Sequence, residues 1–178
     1  YTIPQAELTQ PQDSIVEMYR NKFYEPKPFY SDGDYGTALN PRTQFAAMIT
    51  RLDTYVGQII KELERQGIAD RTLFIFTSDN GPHQEGGADP YFFNTEARLK
   101  GLKRALYEGG MRVPYIAYWP GKIQPGSISH IQAAGWDMMP TFVDLLGVDS
   151  NWRAETMDGI SILPTLLSRG EQPLHEFL

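Results

Sequence analysis

Hydrophobic residues recur at helical spacing in the middle of the chain. From Phe45 to Leu63 they follow each other at three- and four-residue steps, which places them on one helix face. Asn40-Pro41 supplies a capping residue followed by proline at a first helical position, and Gly67 lies just past the last periodic residue. The pattern therefore predicts an amphipathic helix that begins at Pro41 and ends near Gly67.

Two apolar runs predict strands. Residues 72–77 are mostly β-branched or aromatic and carry no charge, so they predict a strand that is buried on both faces. This strand follows the helix after a short polar turn at residues 68–71. Residues 113–119 form the second predicted strand, and Pro120-Gly121 closes it.

A second helix is predicted from Asp137 to Leu146. Pro140 stands in its first turn and Gly147 lies just past its end, which is the usual placement of these two residue types. Because helices alternate with buried strands, the chain is predicted to have an α/β layered fold. Residues 41–178 are assigned to this α/β domain.

Residues 1–40 differ from the rest of the chain in composition. They are rich in Pro, Tyr, Asp and Gly, and only the stretch from Asp13 to Tyr24 has a helix-like spacing. We interpret them as a connecting segment, most of whose packing partners lie elsewhere.

Composition excludes several classes of protein. The chain has 178 residues, 41% of them hydrophobic and 21% charged, which indicates one globular domain with a core. A net charge of −6 argues against nucleic acid as a partner. No apolar run approaches the roughly 18 residues that cross a bilayer, and no signal-peptide pattern is present, so no membrane partner is expected. The absence of cysteine excludes disulfides, zinc–thiolate sites and a thiol nucleophile within these residues.

Candidate chemistry begins where the first predicted strand ends. Asp79 and Asn80 follow that strand directly and precede Gly81. A carboxylate and an amide oxygen at a strand tip are the hard donors that calcium or magnesium selects. The alternative is a turn in which both side chains only bond neighbouring backbone amides.

The connection over residues 81–107 is unusually long for a compact domain. It contains apolar residues such as Phe92 and Leu102, so we expect an ordered, functional loop. Residues 98–112 carry five cations and a single acid, Glu108, which indicates an anion site or a solvated basic loop. Glu108 is assigned a structural role, either as the partner of a nearby arginine or as a cap of backbone amides. Gly109-Gly110 allows close backbone approach.

Four aromatic residues stand near these segments, namely Tyr91, Phe92, Phe93 and Trp119. They are candidates for a surface on which a sugar ring stacks. Aromatic residues near a core strand are also common packing residues, so both interpretations stay open at this point.

The motifs occur together in an order that resembles the formylglycine-dependent (type I) sulfatases, members of the alkaline-phosphatase-like superfamily. The resemblance runs from about Phe45 to Leu167 and covers most of the chain. The stretch from Gly81 to Phe93 is most similar to bacterial, glycan-degrading sulfatases. The matching segments are residues 77–82, 101–103, 107–114, 119–121, 137–141 and 158–161.

The resemblance implies a fold and roles for individual residues. The implied fold is a sandwich of helices around a mainly parallel sheet, here partial and truncated at both ends. Asp79 and Asn80 are implied to bind the divalent metal, usually calcium, with magnesium as the alternative. Lys103 is implied to contact the substrate sulfate, with Lys100 as the alternative if the loop register differs. His83 is a candidate for contact with the sulfate ester or the leaving oxygen, and the alternative is a surface or hydrogen-bonding histidine.

The implied reaction needs parts that this sequence lacks. In the family a formylglycine hydrate attacks sulfur, and that formylglycine arises from a cysteine, which would have to lie outside this chain. Two further acidic metal ligands and a Lys–His pair of the family also have no counterpart here. The chain is therefore expected to be an internal piece without the amino-terminal catalytic half. Alone it should be inactive and bind calcium weakly, so a tight site in titration calorimetry would contradict this interpretation.

The resemblance also carries expectations about substrate and location. The implied substrate is a sulfated small molecule or glycan, and a periplasmic or secreted location is favoured. One alternative is a phosphodiesterase or phosphonate hydrolase of the same superfamily. Another is a noncatalytic, sulfatase-like binding module. The oligomeric state is not predicted.

Overall fold

The computed structural model describes residues 3–31, 33–148 and 157–176. Its strands β1 (Phe74–Thr77) and β2 (Tyr115–Tyr118) pair in a two-stranded sheet. No helix in these ranges is long and apolar enough to cross a bilayer. The helices are α1 (Ser14–Tyr19), α2 (Pro41–Arg65), α3 (Pro90–Phe93), α4 (Glu108–Met111), α5 (Met138–Leu145) and α6 (Leu163–Leu167).

The long helix α2 confirms the prediction from periodicity. Pro41 is its first residue, and the carboxylate of Glu25 accepts hydrogen bonds from the backbone N–H groups of Arg42 and Thr43 at 3.1 and 2.8 Å. These are two of the N–H groups that a helix start leaves without partners, and a negative charge there also favours the helix dipole. The helix buries Met48 completely, whereas Ile49 is 41% exposed.

The chain divides into two compact units, one comprising residues 1–67 and 76–116 and the other residues 68–75 and 117–178. In the first unit, Leu8, Ala38 and Met48 form a buried cluster. Residues 1–40 were expected to pack mostly against parts of the protein outside this chain. For Leu8 and Ala38 this expectation is wrong, because both are buried against Met48 of α2. The assignment of domain boundaries remains a prediction.

Helix α1 is shorter than the helix-like spacing suggested. It begins after Asp13, whose carboxylate accepts hydrogen bonds from the N–H groups of Ile15 and Val16 and caps the helix. It ends at Tyr19, two residues before Asn21, whose φ of 58° is incompatible with continuation.

Both strands lie where they were predicted but are shorter and more exposed. Residues 74–76 are half-buried and Thr77 is exposed, so the prediction of a strand buried on both faces is wrong. In β2, Ile116 is 59% exposed. The reason is that the sheet of the described residues has only these two strands, and a lone pair leaves its faces largely uncovered.

The second unit is organised around α5, which confirms the helix predicted from Asp137. Asp137 is fully buried, and its carboxylate accepts hydrogen bonds from the N–H groups of Ala134 (2.7 Å) and Ile160 (2.8 Å). His175 Nε2 lies within hydrogen-bonding distance of the same carboxylate, 2.8 Å from Asp137 Oδ1. The Thr141 hydroxyl donates to the Asp137 carbonyl at 2.6 Å. Asp137 thereby joins three separate segments.

Candidate functional site

The tip of β1 is attached to the basic loop by backbone hydrogen bonds. Gly81 N–H donates to the Gly110 carbonyl at 2.9 Å, and Lys103 N–H donates to the Pro82 carbonyl at 2.8 Å. The segment that follows Asp79 therefore lies against the segment that carries Lys103. This contact brings together two motifs that are separated by more than twenty residues of loop.

Glycine makes this contact possible. A Cβ atom at Gly81 would lie 2.0 Å from the Gly109 carbonyl oxygen, and one at Gly109 would lie 2.1 Å from the Gly101 carbonyl oxygen. Real Cβ atoms do not approach oxygen so closely, so any other residue would push these backbones apart. The glycines of the two motifs are thus explained by packing of one motif on the other.

The predicted metal ligands lie at the exposed tip of this contact. Asp79 is exposed and Asn80 is half-buried. The Asn80 side-chain N–H donates to the Gly81 carbonyl at 2.9 Å, and no hydrogen bond to its amide oxygen is present among the described residues. No group of three or more His, Cys, Asp and Glu residues in the described part of the chain could hold a metal ion. Asp79 and Asn80 can each offer one oxygen ligand to a cation. Calcium takes about six to eight oxygen ligands, so the pair would supply only part of its coordination shell. The metal role stays a prediction.

Four charged or polar residues, which we call the loop cluster, lie together beyond this tip. They are His83, Glu85, Lys103 and Arg104. Glu85 Oε2 lies 3.6 Å from Lys103 Nζ, and Glu85 Oε1 pairs with the Arg104 guanidinium. The side chains of Glu85 and Lys103 are each 21% exposed, whereas that of Arg104 is 72% exposed. Hydrogen bonding to Arg104 lowers the pKa of the Glu85 carboxyl, so Glu85 is ionised at neutral pH.

His83 has one satisfied and one unsatisfied ring nitrogen. The Glu85 N–H donates to His83 Nδ1 at 3.1 Å, so the neutral ring carries its proton on Nε2. Nε2 is buried and has no hydrogen-bond partner among the described residues. Burial lowers the pKa of His83, which favours the neutral ring. A buried N–H without an acceptor is uncommon in proteins and needs an explanation.

The structure brings Lys103, but not Lys100, to the loop cluster. Lys100 Nζ lies 3.8 Å from the centroid of the Tyr107 ring, which is a cation–π contact. Its backbone carbonyl accepts from Gly109 N–H at 2.8 Å. Glu108 lies 3.5 Å from the Arg112 guanidinium, so its predicted structural pairing with an arginine is confirmed.

Two of the aromatic residues are engaged in packing. The guanidinium of Arg42 lies 3.7 Å from the centroid of the Phe92 ring, and this arginine is also paired with Asp89. Phe93 packs against Phe45 with 5.2 Å between ring centroids. These contacts favour the packing interpretation, because a covered ring face is not available to a sugar. Tyr91 is 62% exposed and retains a free surface.

Trp119 is also used structurally within the second unit. Its indole N–H donates to the Asp70 carbonyl at 2.7 Å and ties the end of β2 to the turn that precedes β1. The contact orients the indole ring through its polar edge. This hydrogen bond gives the Trp119 side chain a structural contact.

Glu85 is the functional candidate that sequence reasoning missed. It contacts both cations of the loop cluster, and its backbone N–H orients His83. Its partners follow 18 and 19 residues later, and no periodicity relates residues that far apart in a loop. The available signal was an acidic residue two positions after His83, ahead of a strongly basic segment.

The fold and this cluster define a class of protein: an α/β protein with a cluster of charged side chains beside a strand tip that carries oxygen donors. Sequence comparison identifies the family. The family model described as Sulfatase matches residues 6–148, which is more than half of the chain, and the chain belongs to this family. The resemblance stated from the motifs is thereby confirmed.

Named relatives agree with this assignment. Arylsulfatase A of Homo sapiens is 33% identical over 168 residues, which cover 92% of this chain and 31% of that protein. N-acetylgalactosamine-6-sulfatase of Mus musculus is 33% identical over 147 residues, covering 79% of this chain and 26% of that protein. The chain spans about a third of the length of the first of these curated relatives and about a quarter of the second.

Solved structures agree on the fold. Ps i-CgsB has a TM-score of 0.69 and 28% identity, covering 94% of this chain and 32% of that chain. A phosphonate monoester hydrolase, SpPMH from Silicibacter pomeroyi, has a TM-score of 0.58 and 24% identity, covering 77% of this chain and 24% of that chain. This second likeness shows the fold alone. The expected α/β fold of alkaline-phosphatase-like sulfatases is confirmed by these neighbours.

Proposed function

We propose that the protein to which this chain belongs hydrolyses sulfate monoesters and that the loop cluster binds the sulfate group. The observation that carries the proposal is the buried, unpartnered Nε2–H of His83 in a cluster with Lys103. An N–H donor and an ammonium group together suit a tetrahedral oxyanion. Membership of the sulfatase family supports sulfate as that oxyanion.

Each residue of the cluster has a separate role in this proposal. Lys103 neutralises the non-bridging sulfate oxygens, and its positive charge is held in place before the substrate arrives. His83 donates a hydrogen bond from Nε2 to an oxygen of the sulfate ester or to the leaving oxygen. Because burial lowers the pKa of His83, the ring acts at neutral pH as a neutral donor. Lys100 stays over Tyr107 and has a secondary role.

A metal ion and formylglycine complete the proposal, since the sulfatase family generally uses both. Asp79 and Asn80 would hold the divalent metal, with calcium favoured over magnesium, through the Asp79 carboxylate and the Asn80 amide oxygen. Bound there, the metal would stabilise negative charge that develops as the S–O bond breaks. The nucleophile would come from sequence outside these 178 residues, which contain no cysteine.

We further propose a sulfated glycan as the substrate class and a periplasmic or secreted location. Ps i-CgsB has also been crystallised in complex with k-i-k-neocarrahexaose, and that structure is 28% identical to this chain with a TM-score of 0.68. A 30% identical structure, with a TM-score of 0.55, belongs to work on glycosaminoglycan metabolism by Bacteroides thetaiotaomicron. Both relatives support a glycan, and family resemblance supports the location.

The test compares release of sulfate and phosphate from matched 4-nitrophenyl esters by the protein expressed from the complete gene. We expect sulfate release that depends on an added divalent metal, with much slower phosphate release. Faster release of phosphate than of sulfate would instead support the related phosphoryl-transfer hydrolases of the superfamily. Absence of any hydrolysis, with sulfate binding retained, would support a noncatalytic module.

A further inference from the structure

Glu85 has a position that no role proposed so far explains. Its carboxylate contacts both cations of the loop cluster, with 3.6 Å to Lys103 Nζ and a direct pair with Arg104. Only 21% of its side chain is exposed, so the pair with Lys103 is partly shielded from water and from salt. A carboxylate within reach of an anion site weakens anion binding in general, so its presence there needs a reason.

The same residue also sets the state of His83. Its backbone N–H donates to His83 Nδ1 at 3.1 Å, and this bond leaves the ring proton on Nε2. Gly86, the next residue, has a φ of 62°, and a Cβ there would lie 1.7 Å from the Ala6 carbonyl oxygen. The turn that carries Glu85 is therefore packed tightly against Ala6 within the first unit, which fixes the position of the Glu85 backbone N–H.

The charges of the loop cluster give the reason. Lys103 and Arg104 contribute two positive charges, Glu85 contributes one negative charge and His83 is neutral, so the cluster carries one net positive charge. A sulfate monoester carries one negative charge. A phosphate monoester carries nearly two above its second pKa of about 6. The four residues of the cluster by themselves therefore carry a charge opposite and equal to that of the sulfate ester.

We propose that Glu85 is a positioning and selectivity residue, which holds Lys103 beside His83 and cancels one cation so that the site prefers singly over doubly charged tetrahedral esters. The proposal rests on the sulfate-binding role given to the loop cluster. It concerns the preference between anions, so it is tested by binding and does not need turnover. Removal of the Glu85 charge makes the net charge of the site more positive by one unit. This change is the same whichever other groups contribute to the site.

The experiment measures dissociation constants for phenyl sulfate and phenyl phosphate at pH 8 by titration calorimetry. It uses the protein expressed from the complete gene, with alanine in place of the cysteine that would form formylglycine, so that neither ester is turned over. The readout is the ratio of the phenyl sulfate constant to the phenyl phosphate constant. Glu85→Gln keeps the size and the backbone N–H but removes the charge, and we expect it to raise this ratio about tenfold. Glu108→Gln is the matched control, since it removes a loop carboxylate that pairs with Arg112, and it should leave the ratio within about twofold.

A second variant keeps the test decisive if Glu85→Gln does not fold. Arg104→Gln removes a largely exposed cation, and we expect it to lower the ratio by weakening phenyl phosphate binding more than phenyl sulfate binding. Equal changes for the two esters in both variants would overturn the proposal. Failure of the proposed function is separate, because it appears as absence of sulfate release by the unmodified gene product.

Discussion

Each unit of the molecule contains a histidine in contact with an acidic residue. The two contacts differ in how many of their buried polar atoms have a hydrogen-bond partner. In the second unit, Asp137 is fully buried, accepts from two backbone N–H groups and contacts His175, whose side chain is 11% exposed. In the first unit, His83 is oriented by the backbone of Glu85, and its Nε2 has no partner among the described residues.

The difference separates a structural histidine from a functional one. A buried polar group whose hydrogen bonds are all made within the protein rigidifies the fold and offers nothing to a ligand. A buried donor without an acceptor costs stability and persists where a ligand supplies the acceptor. The comparison therefore gives Asp137 a structural role and agrees with the ligand-binding role that we propose for His83 and the loop cluster.

The largest expected effect follows from breaking the satisfied arrangement. Asp137→Ala removes the common hydrogen-bond partner of Ala134, Ile160 and His175, so the free energy of unfolding should fall by about 3–5 kcal/mol. Urea denaturation measures this change. Asp53→Ala, at an exposed position of α2, is the control and should change stability by less than about 0.5 kcal/mol. Equal effects of the two variants would contradict a structural role for Asp137.

Next in size is the loss of the cation from the loop cluster. Lys103→Ala should lower kcat/KM for 4-nitrophenyl sulfate by about 10²–10³, because a preorganised group that stabilises an oxyanion is lost. The assay uses the protein expressed from the complete gene. Lys100→Ala removes a lysine of the same loop whose ammonium lies over Tyr107, and its effect should stay within a few-fold. A larger loss from Lys100→Ala would assign the sulfate contact to Lys100.

A smaller effect is expected from separating the two motifs that form the site. Gly81→Ala places a Cβ against the Gly109 carbonyl and should destabilise the protein by about 1–3 kcal/mol. The matched control is Gly57→Ala within α2, where a Cβ meets nothing within 4 Å, and it should stabilise by up to about 1 kcal/mol. Thermal denaturation of both variants measures the difference, and a harmless Gly81→Ala would show that the close contact is absent.

The smallest effect is a pH dependence that comes from His83. Burial lowers its pKa in the folded state, so the unfolded chain takes up a proton first as the pH falls. The contribution of His83 to stability is therefore complete above its ordinary pKa of about 6.5 and is lost as the pH drops from there through the lower folded value. Urea midpoints measured between pH 7.5 and 5 should fall less steeply in His83→Gln. His130→Gln, at an exposed position, should keep the slope of the unmodified protein.

Sequence patterns predicted the elements whose signals are local. The helices α2 and α5 have regular spacing, proline in the first turn and glycine beyond the end, so both were found. The exposure of β1 was not predicted, because burial of a strand depends on neighbouring strands rather than on its own residues. His83 and Lys103 were named from motifs, and the structure adds that they lie in one cluster.

The contacts that sequence reasoning missed join distant residues. Glu85 and Arg104 are 19 residues apart, and Asp137 and His175 are 38 residues apart, so no period relates either pair. Charge and residue type are the same for Glu85, whose backbone orients His83, and for Asp137, whose carboxylate contacts His175, in the sense that both are acids. The sequence alone therefore does not distinguish their roles. That distinction depends on burial and on hydrogen-bond partners, which only the folded structure supplies.

The most direct test of the ligand-binding role of His83 is ¹⁵N NMR of the imidazole rings, since the chain has only three histidines. At pH 7.5 we predict that His83 is the neutral tautomer with its proton on Nε2. Addition of phenyl sulfate should shift the Nε2 resonance of His83 and leave that of His175 unchanged. A His83 ring protonated on Nδ1, or a His83 resonance that does not respond while sulfate binds elsewhere, would contradict the role assigned to it.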